Sequence, residues 1–232
     1  MDTSISVIIP CFKQAHFLSE AIESVLEQSF KAREIIVVND GSPDNASEVA
    51  KRYPVILVEK ENGGLASARN AGIRVATSKY ILCLDSDDLL RPDALKEHVR
   101  LIDEKSVVTC GLTWFGNEMG TFRPQGATLE SLLMHNTAYC NSMFPRQAWL
   151  DIGGFDESAT MRLGLEDWLA WIEMAAVGYQ FKANQDYIAL LYRKHGNNMT
   201  KTTTHPNWNK IVGYMSNKIK DKYKLVTGFR EM

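Results

Sequence analysis

The strongest constraint in this sequence is its rhythm. Within the first 110 residues, short runs rich in β-branched residues alternate with segments of helical period. Ser4–Pro10, Glu34–Val38, Val55–Glu59, Lys79–Leu84 and Ser106–Cys110 predict strands, and helices are predicted between them over Phe17–Gln28, Asp44–Arg52, Leu65–Ala76 and from Pro92 to about Asp103. Ala21, Ile22, Val25 and Leu26 fall on one face of the first helix. Asn62-Gly63-Gly64 forms a turn that opens the third, and Pro92 suits the first turn of the fourth. Strands separated by helices pair through crossovers, so the fold class is α/β with a mainly parallel sheet flanked by helices.

Beyond Gly111 the rhythm loosens. Thr113–Gly126 reads as loop, followed by a short helix over Thr128–Met134, a strand near Ala138–Phe144 and a helix over Glu166–Val177. The expected organisation is a single domain over residues 1–204, with a nucleotide-binding half (1–111) and a more irregular acceptor-side half (112–204), followed by a segment at 205–232.

Composition removes several function classes. A chain of 232 residues that is 45% hydrophobic and 23% charged buries a real core. Its 26 Lys and Arg against 28 Asp and Glu leave a net charge of -2, so no basic field exists to hold nucleic acid. Cys11, Cys83, Cys110 and Cys140 form no C-x-x-C pair, and the first three lie in or beside apolar runs, a pattern that suits a cytoplasmic location. No stretch approaches the ~18–20 apolar residues of a membrane span.

In an open parallel sheet, ligands gather at the carboxyl ends of the strands. Here the second strand ends at Asn39-Asp40-Gly41-Ser42 and the fourth at Asp85-Ser86-Asp87-Asp88. Three carboxylates within four residues repel one another unless a cation or open solvent relieves them. An isolated acidic turn would be a solvated helix cap; at a strand end, with Asp40 at the end of another strand, the acids point to a cation site. All-oxygen ligands suit Mg2+ or Mn2+. No G-x-x-x-x-G-K-[ST] or G-x-G-x-x-G loop is present to cradle phosphates. A carboxylate-held metal would instead neutralise the diphosphate of a nucleotide leaving group.

The motifs, in order, are Val7-Ile-Ile-Pro10-Cys-Phe12, Glu34-Ile-Ile-Val-Val-Asn-Asp40-Gly-Ser42, Asn62-Gly-Gly-Leu-Ala-Ser-Ala-Arg69-Asn70-Ala-Gly72, Leu84-Asp85-Ser-Asp87-Asp88, Gly153-Gly-Phe-Asp156, Glu166-Asp167-Trp168 and Tyr192-Arg-Lys-His195. Together they resemble the family 2 glycosyltransferases, inverting enzymes of the GT-A fold. The resemblance implies a metal-dependent transfer of a sugar from a nucleotide-sugar donor, UDP-linked by preference, to a saccharide or lipid-linked acceptor in glycan or surface-polysaccharide assembly. It places Pro10 and Phe12 in the nucleotide pocket, Asp40 on the base, Arg69 near the base or diphosphate, and Asp85 at the ribose and metal. Asp87 would ligate Mg2+ or Mn2+, with Asp88 as a helper, and Asp167 matches the general base. His195, with Arg193 beside it, belongs to a segment that folds back over the diphosphate in the family and is read either as a metal or phosphate contact or as a surface side chain.

Other residues carry two readings. Glu166 is a contact to acceptor or diphosphate, or an acid favoured by the helix dipole. Trp168 and Trp171 are an acceptor-sugar platform or core, with core favoured for Trp171. Gly153-Gly154 forms an acceptor-side loop or a simple turn. Phe12-Lys13 stands where the family usually has Tyr-Asn, and Asn39 where aspartate is frequent. Residues 205–232 carry six Lys and Arg against two acids, with Ile211, Met215, Ile219 and Tyr223 four apart. That is a basic amphipathic helix, either lying peripherally on the inner face of a membrane or packing on the domain. Two alternatives accompany the transferase reading. A sugar-nucleotide-forming nucleotidyltransferase would want a Gly- and Lys-rich N-terminal loop that Pro10–Gln14 does not supply; a catalytically silent glycan-binding domain has no need of Asp40, Asp85, Asp87 and Asp167 together.

Overall fold

The computed structural model describes residues 2–229. The first half is β1 (Ile5–Cys11), α1 (Ala15–Leu26), β2 (Glu34–Asp40), α2 (Ala46–Ala50), β3 (Ile56–Lys60), α3 (Leu65–Val75) and β4 (Tyr80–Cys83), then β5 (Leu89–Leu90) and α4 (Ala94–Val99). Every strand and helix expected over residues 4–110 is present, with boundaries moved by a few residues. The second half contains β6 (Ser106–Gly116), β7 (Gly120–Phe122), α5 (Leu129–Leu132), β8 (Met143–Pro145), α6 (Arg146–Ile152), α7 (Glu166–Ala176), β9 (Gln180–Lys194) and α8 (Trp208–Tyr223).

The sheet order is β3-β2-β1-β4-β8-β6-β9-β5, with β7 paired to β6. The run β3-β2-β1-β4 is parallel throughout. β8 joins it antiparallel, and β6 pairs parallel with β9. Strand β1 is buried at every position because helices cover both faces, which is why it reads as a continuous apolar run. Its alternate side chains divide between two cores. Ile8, with Ile36 and Val38 of β2, faces a cluster holding Phe144, Trp168 and Trp171; Val7 and Ile9 face Leu18, Ile22 and Leu95. A Cβ on Gly72 of α3 would lie 2.4 Å from Ile8 Cγ2, so the glycine permits this helix to sit directly on the sheet.

Three expectations change. Thr113–Gly126 is not simply loop: β6 continues to Gly116 and β7 folds back on it as a hairpin. The strand near Ala138–Phe144 is confined to β8. The tail forms the expected amphipathic helix, but Ile211, Met215 and Ile219 are fully buried against the domain core, so its apolar stripe is not free to lie on a membrane. Lys218 and Lys222 of α8 pair with Asp156 (2.7 Å) and Glu173 (2.9 Å) of the second half.

Candidate active site

The acids at the end of β4 are each treated differently. Asp85 Oδ1 accepts from Arg69 Nη2 at 2.7 Å, and the Cys140 thiol lies 3.7 Å from its Oδ2. Asp87 Oδ2 accepts from Gln14 Nε2 at 3.0 Å and meets His195 Nε2 at 2.9 Å. The backbone N–H of Asn197 donates to His195 Nδ1, which leaves the Nε2 proton directed at Asp87. Asp88 is buried; its Oδ1 accepts the Arg193 N–H at 2.8 Å, and its Oδ2 has no partner. Burial, and then the charge of Asp85, push Asp87 above the usual carboxylate range. Burial and the charges of Asp87 and Asp85 push Asp88 up further. The cluster therefore holds more negative charge than its protein partners neutralise.

That imbalance tests the fit of a metal. Among the described residues no three His, Cys, Asp or Glu side chains converge as a closed metal cage. Asp87 and His195 converge as a pair, with Asp85 in the same turn. Mg2+ is commonly held by one or two carboxylates with the remaining positions filled by water and substrate phosphate. The donor set fits such an open site.

Arg193, expected beside the diphosphate, is instead bound into the protein. Its Nε donates to Asp87 O (2.8 Å), its Nη2 to Glu20 (2.7 Å), and its guanidinium lies over Phe17 and Phe115. It fastens the end of β9 across the acidic turn.

At the end of β2, Asp40 is almost fully enclosed. Oδ1 accepts from Lys60 Nζ (2.6 Å) and the Gly63 N–H (2.9 Å); Oδ2 accepts from Asn62 Nδ2 (3.1 Å) and the Gly64 N–H (2.8 Å). The carboxylate expected on the base thus shapes the Asn62–Gly64 turn, with four donors already committed. Pro10 is buried in β1, whereas Phe12 is 39% exposed, open to stacking. Arg69, expected near the base or diphosphate, is 1% exposed and bridges Asp85 to Glu166.

The other wall is the start of α7. Glu166 is buried against Arg69, and burial pushes it up to about 7. Asp167 remains partly exposed. Its Oδ1 accepts the Trp168 N–H at 2.7 Å, and no salt bridge among the described residues claims it. Burial raises its affinity for a proton while Arg69 opposes that rise, the combination expected of a base. Trp168 and Trp171 are both 1% exposed. Trp168 donates to Leu132 O and packs against Trp208 and Phe229, so it belongs to the core and cannot be an acceptor platform. Gly153-Gly154 is a turn: Gly153 ends α6 in the left-handed region, and Gly154 packs on Asn70 and Trp149.

Sequence reasoning missed Gln14 and Ser86, which brace Asp87 through a Ser86–Gln14 bond of 2.6 Å. It also missed Tyr139, Cys140 and Tyr192, whose protons are held by burial and by nearby acids of the site. No spacing in the chain marks them, since they come from an irregular segment and from the far end of a long strand.

The sequence matches the family described as glycosyl transferase family 2 over residues 6–170. The chain belongs to that family. This family 2 chain is 32% identical over 190 residues to an uncharacterized glycosyltransferase of Rickettsia prowazekii (strain Madrid E), covering 75% of the chain and 60% of the relative. It is 37% identical over 135 residues to the uncharacterized glycosyltransferase YibD of Escherichia coli (strain K12), covering 55% and 38% respectively. It thus spans 60% or less of the length of these curated relatives. Among solved structures it resembles S. aureus TarS 1-349 in complex with UDP-GlcNAc, at a TM-score of 0.78 and 19% identity, covering 96% of this chain and 68% of that one. It also resembles the mannosyltransferase PcManGT of Pyrobaculum calidifontis in complex with GDP-Man and Mn2+, at a TM-score of 0.70 and 19% identity, covering 94% and 64%. The family 2 chain has the GT-A fold of these neighbours.

Proposed function

We propose that the protein is a metal-dependent, inverting glycosyltransferase that takes a hexose from a nucleotide sugar, UDP-linked by preference, to a saccharide or lipid-linked acceptor. The observation that carries this reading is the pairing of two unlike carboxylate sites: the over-negative Asp85–Asp88 turn, closed by His195, and the solvent-reachable Asp167 free of any salt bridge. Neighbours with bound UDP-GlcNAc and with GDP-Man and Mn2+ support the donor class.

Asp87, with Asp85 in the same turn, would hold Mg2+ or Mn2+, which supplies positive charge against the departing nucleoside diphosphate, while the Nε2 proton of His195 orients the Asp87 carboxylate. Phe12 offers a face for the base. Asp167 accepts the proton of the acceptor hydroxyl as its oxygen bonds to the anomeric carbon. The bond from that carbon to the diphosphate oxygen breaks on the opposite face, and the configuration inverts. Residues 1–204 form the catalytic unit in this reading, split at about residue 111, with 205–232 packed on it. The setting is glycan or surface-polysaccharide assembly at the cytoplasmic side. No described helix is long and apolar enough to cross a membrane. Contact with a membrane-borne acceptor would have to use the exposed lysines of α8, since its apolar stripe is buried.

The test is thermal stability with UDP, GDP and dTDP, each with and without Mn2+, on the wild type and Asp87→Ala. A ligand that binds only the folded protein raises its melting temperature. A Mn2+-dependent shift absent from Asp87→Ala supports the site; no shift with any nucleotide moves the reading to a catalytically silent binding domain.

A further inference from the structure

Arg69 is a buried cation held between two carboxylates. It sits on α3, away from both acidic segments in sequence, and is 1% exposed. One arm of its guanidinium, Nη2, bonds Asp85 Oδ1 at 2.7 Å; the other, Nη1, bonds Glu166 Oε1. The guanidinium also lies 6.0 Å from the Phe155 ring centre. The next residue, Asn70, bonds both the N–H and the C=O of Phe155 and the Trp149 indole. One turn of α3 therefore ties the strand-end acids of the first half to the loop and helix that carry the base in the second.

We propose that Arg69 is a positioning residue whose two-armed guanidinium fixes the separation between the metal-side Asp85 and the base-bearing start of α7. The inference rests on Asp167 acting as the base. Both Nη arms are occupied by carboxylates and the side chain is enclosed; Nε is buried without a partner. A planar fork makes two bonds at a set angle, which a lysine cannot reproduce. Displacement at the anomeric carbon needs the incoming and leaving oxygens in line, and errors of about 1 Å in such alignments cost roughly 100-fold in rate. A rigid strut between the two sites meets that demand directly.

The strut also has an electrostatic part. The groups that face Asp167 are Arg69, Asp85, Glu166, Cys83, Cys140 and Tyr139, and Arg69 is the cation among them. It keeps the base ionised against burial and against Asp85. Asp167 must be ionised to act, so removing Arg69 moves the acid limb of the pH–rate profile to higher pH.

The experiment measures nucleoside diphosphate release from UDP-GlcNAc and from GDP-mannose with Mn2+, between pH 5 and 9, for the wild type, Arg69→Met, Arg69→Lys and Glu166→Gln. Expected are a rate fall of about 100-fold across the pH range with the acid limb moved to higher pH in Arg69→Met, partial recovery of both in Arg69→Lys, and a smaller fall in Glu166→Gln, which weakens one arm only. The Mn2+-UDP thermal shift should persist in every variant. Should Arg69→Met fail to fold, Arg69→Lys and Glu166→Gln carry the same falls in smaller measure. A rate in Arg69→Met within about threefold of the wild type, or a fall that comes with loss of the nucleotide shift, overturns the positioning role and makes Arg69 structural or a donor ligand. Release absent from the wild type with both donors overturns the transferase reading itself, and the inference with it.

Discussion

Asp40 and Asp167 lie in the two halves of the molecule and differ in how many of their hydrogen bonds are already made. Asp40 accepts four hydrogen bonds, and all four donors come from the 60–64 segment. Asp167 accepts one from its own neighbour and stays partly exposed. A saturated carboxylate stabilises the backbone around it. An under-bonded one, raised by burial and reachable from solvent, retains capacity for a proton. Hydrogen-bond accounting thus assigns different work to two residues of the same type.

Substitution of Asp167 by Asn should break the contrast most sharply. Release of nucleoside diphosphate from a nucleotide sugar should fall about 100- to 10,000-fold, with the melting temperature nearly unchanged. Asp40→Ala should do the reverse in kind. It takes the carboxylate from the Lys60 ammonium, which keeps only Glu61 O, and leaves two loop N–H groups unpaired, at a cost of about 3 kcal/mol, or roughly 6–12 °C in melting temperature. An Asp40→Ala protein that melts like the wild type but fails to bind UDP would show that the carboxylate serves the base after all.

Smaller changes sharpen the comparison of the halves. Gly72→Ala forces a methyl group against Ile8 of β1 and should cost about 2 kcal/mol, read as a shift in urea midpoint, on the nucleotide side. On the base side, Thr128→Ala removes the capping box of α5 and should cost about 1 kcal/mol by the same measurement, with Mn2+-dependent nucleotide binding intact.

The first half was legible because its strands are buried on both faces and its turns carry glycine, so burial and spacing speak together. Residues 180–194 were not legible. β9 is half-buried along most of its length, and its Gln, Lys, Asn and Asp residues mask any alternation. The extension of β6 past Gly111 depends on pairing with β9 some 75 residues later. α6 begins directly after Pro145 at the end of β8, leaving no loop to mark it. Asp87, Asp167 and His195 were nominated from motif order, and the structure brings Asp87 and His195 together. The engagement of Arg69, Asp40 and Arg193 was hidden because their partners are distant in sequence. A motif names a residue type at a strand end, but only the folded chain shows how many of its bonds are already made.

The docking of α8 governs how the protein can be handled. Ile211, Met215 and Ile219 cover the same core that holds Trp168 and Trp171. A chain cut near residue 205 would uncover that surface and invite self-association of what remains. The basic tail is therefore a solubility element of the domain: shortened versions should keep α8, and a protease that clips ahead of it should yield aggregates in place of a smaller active fragment.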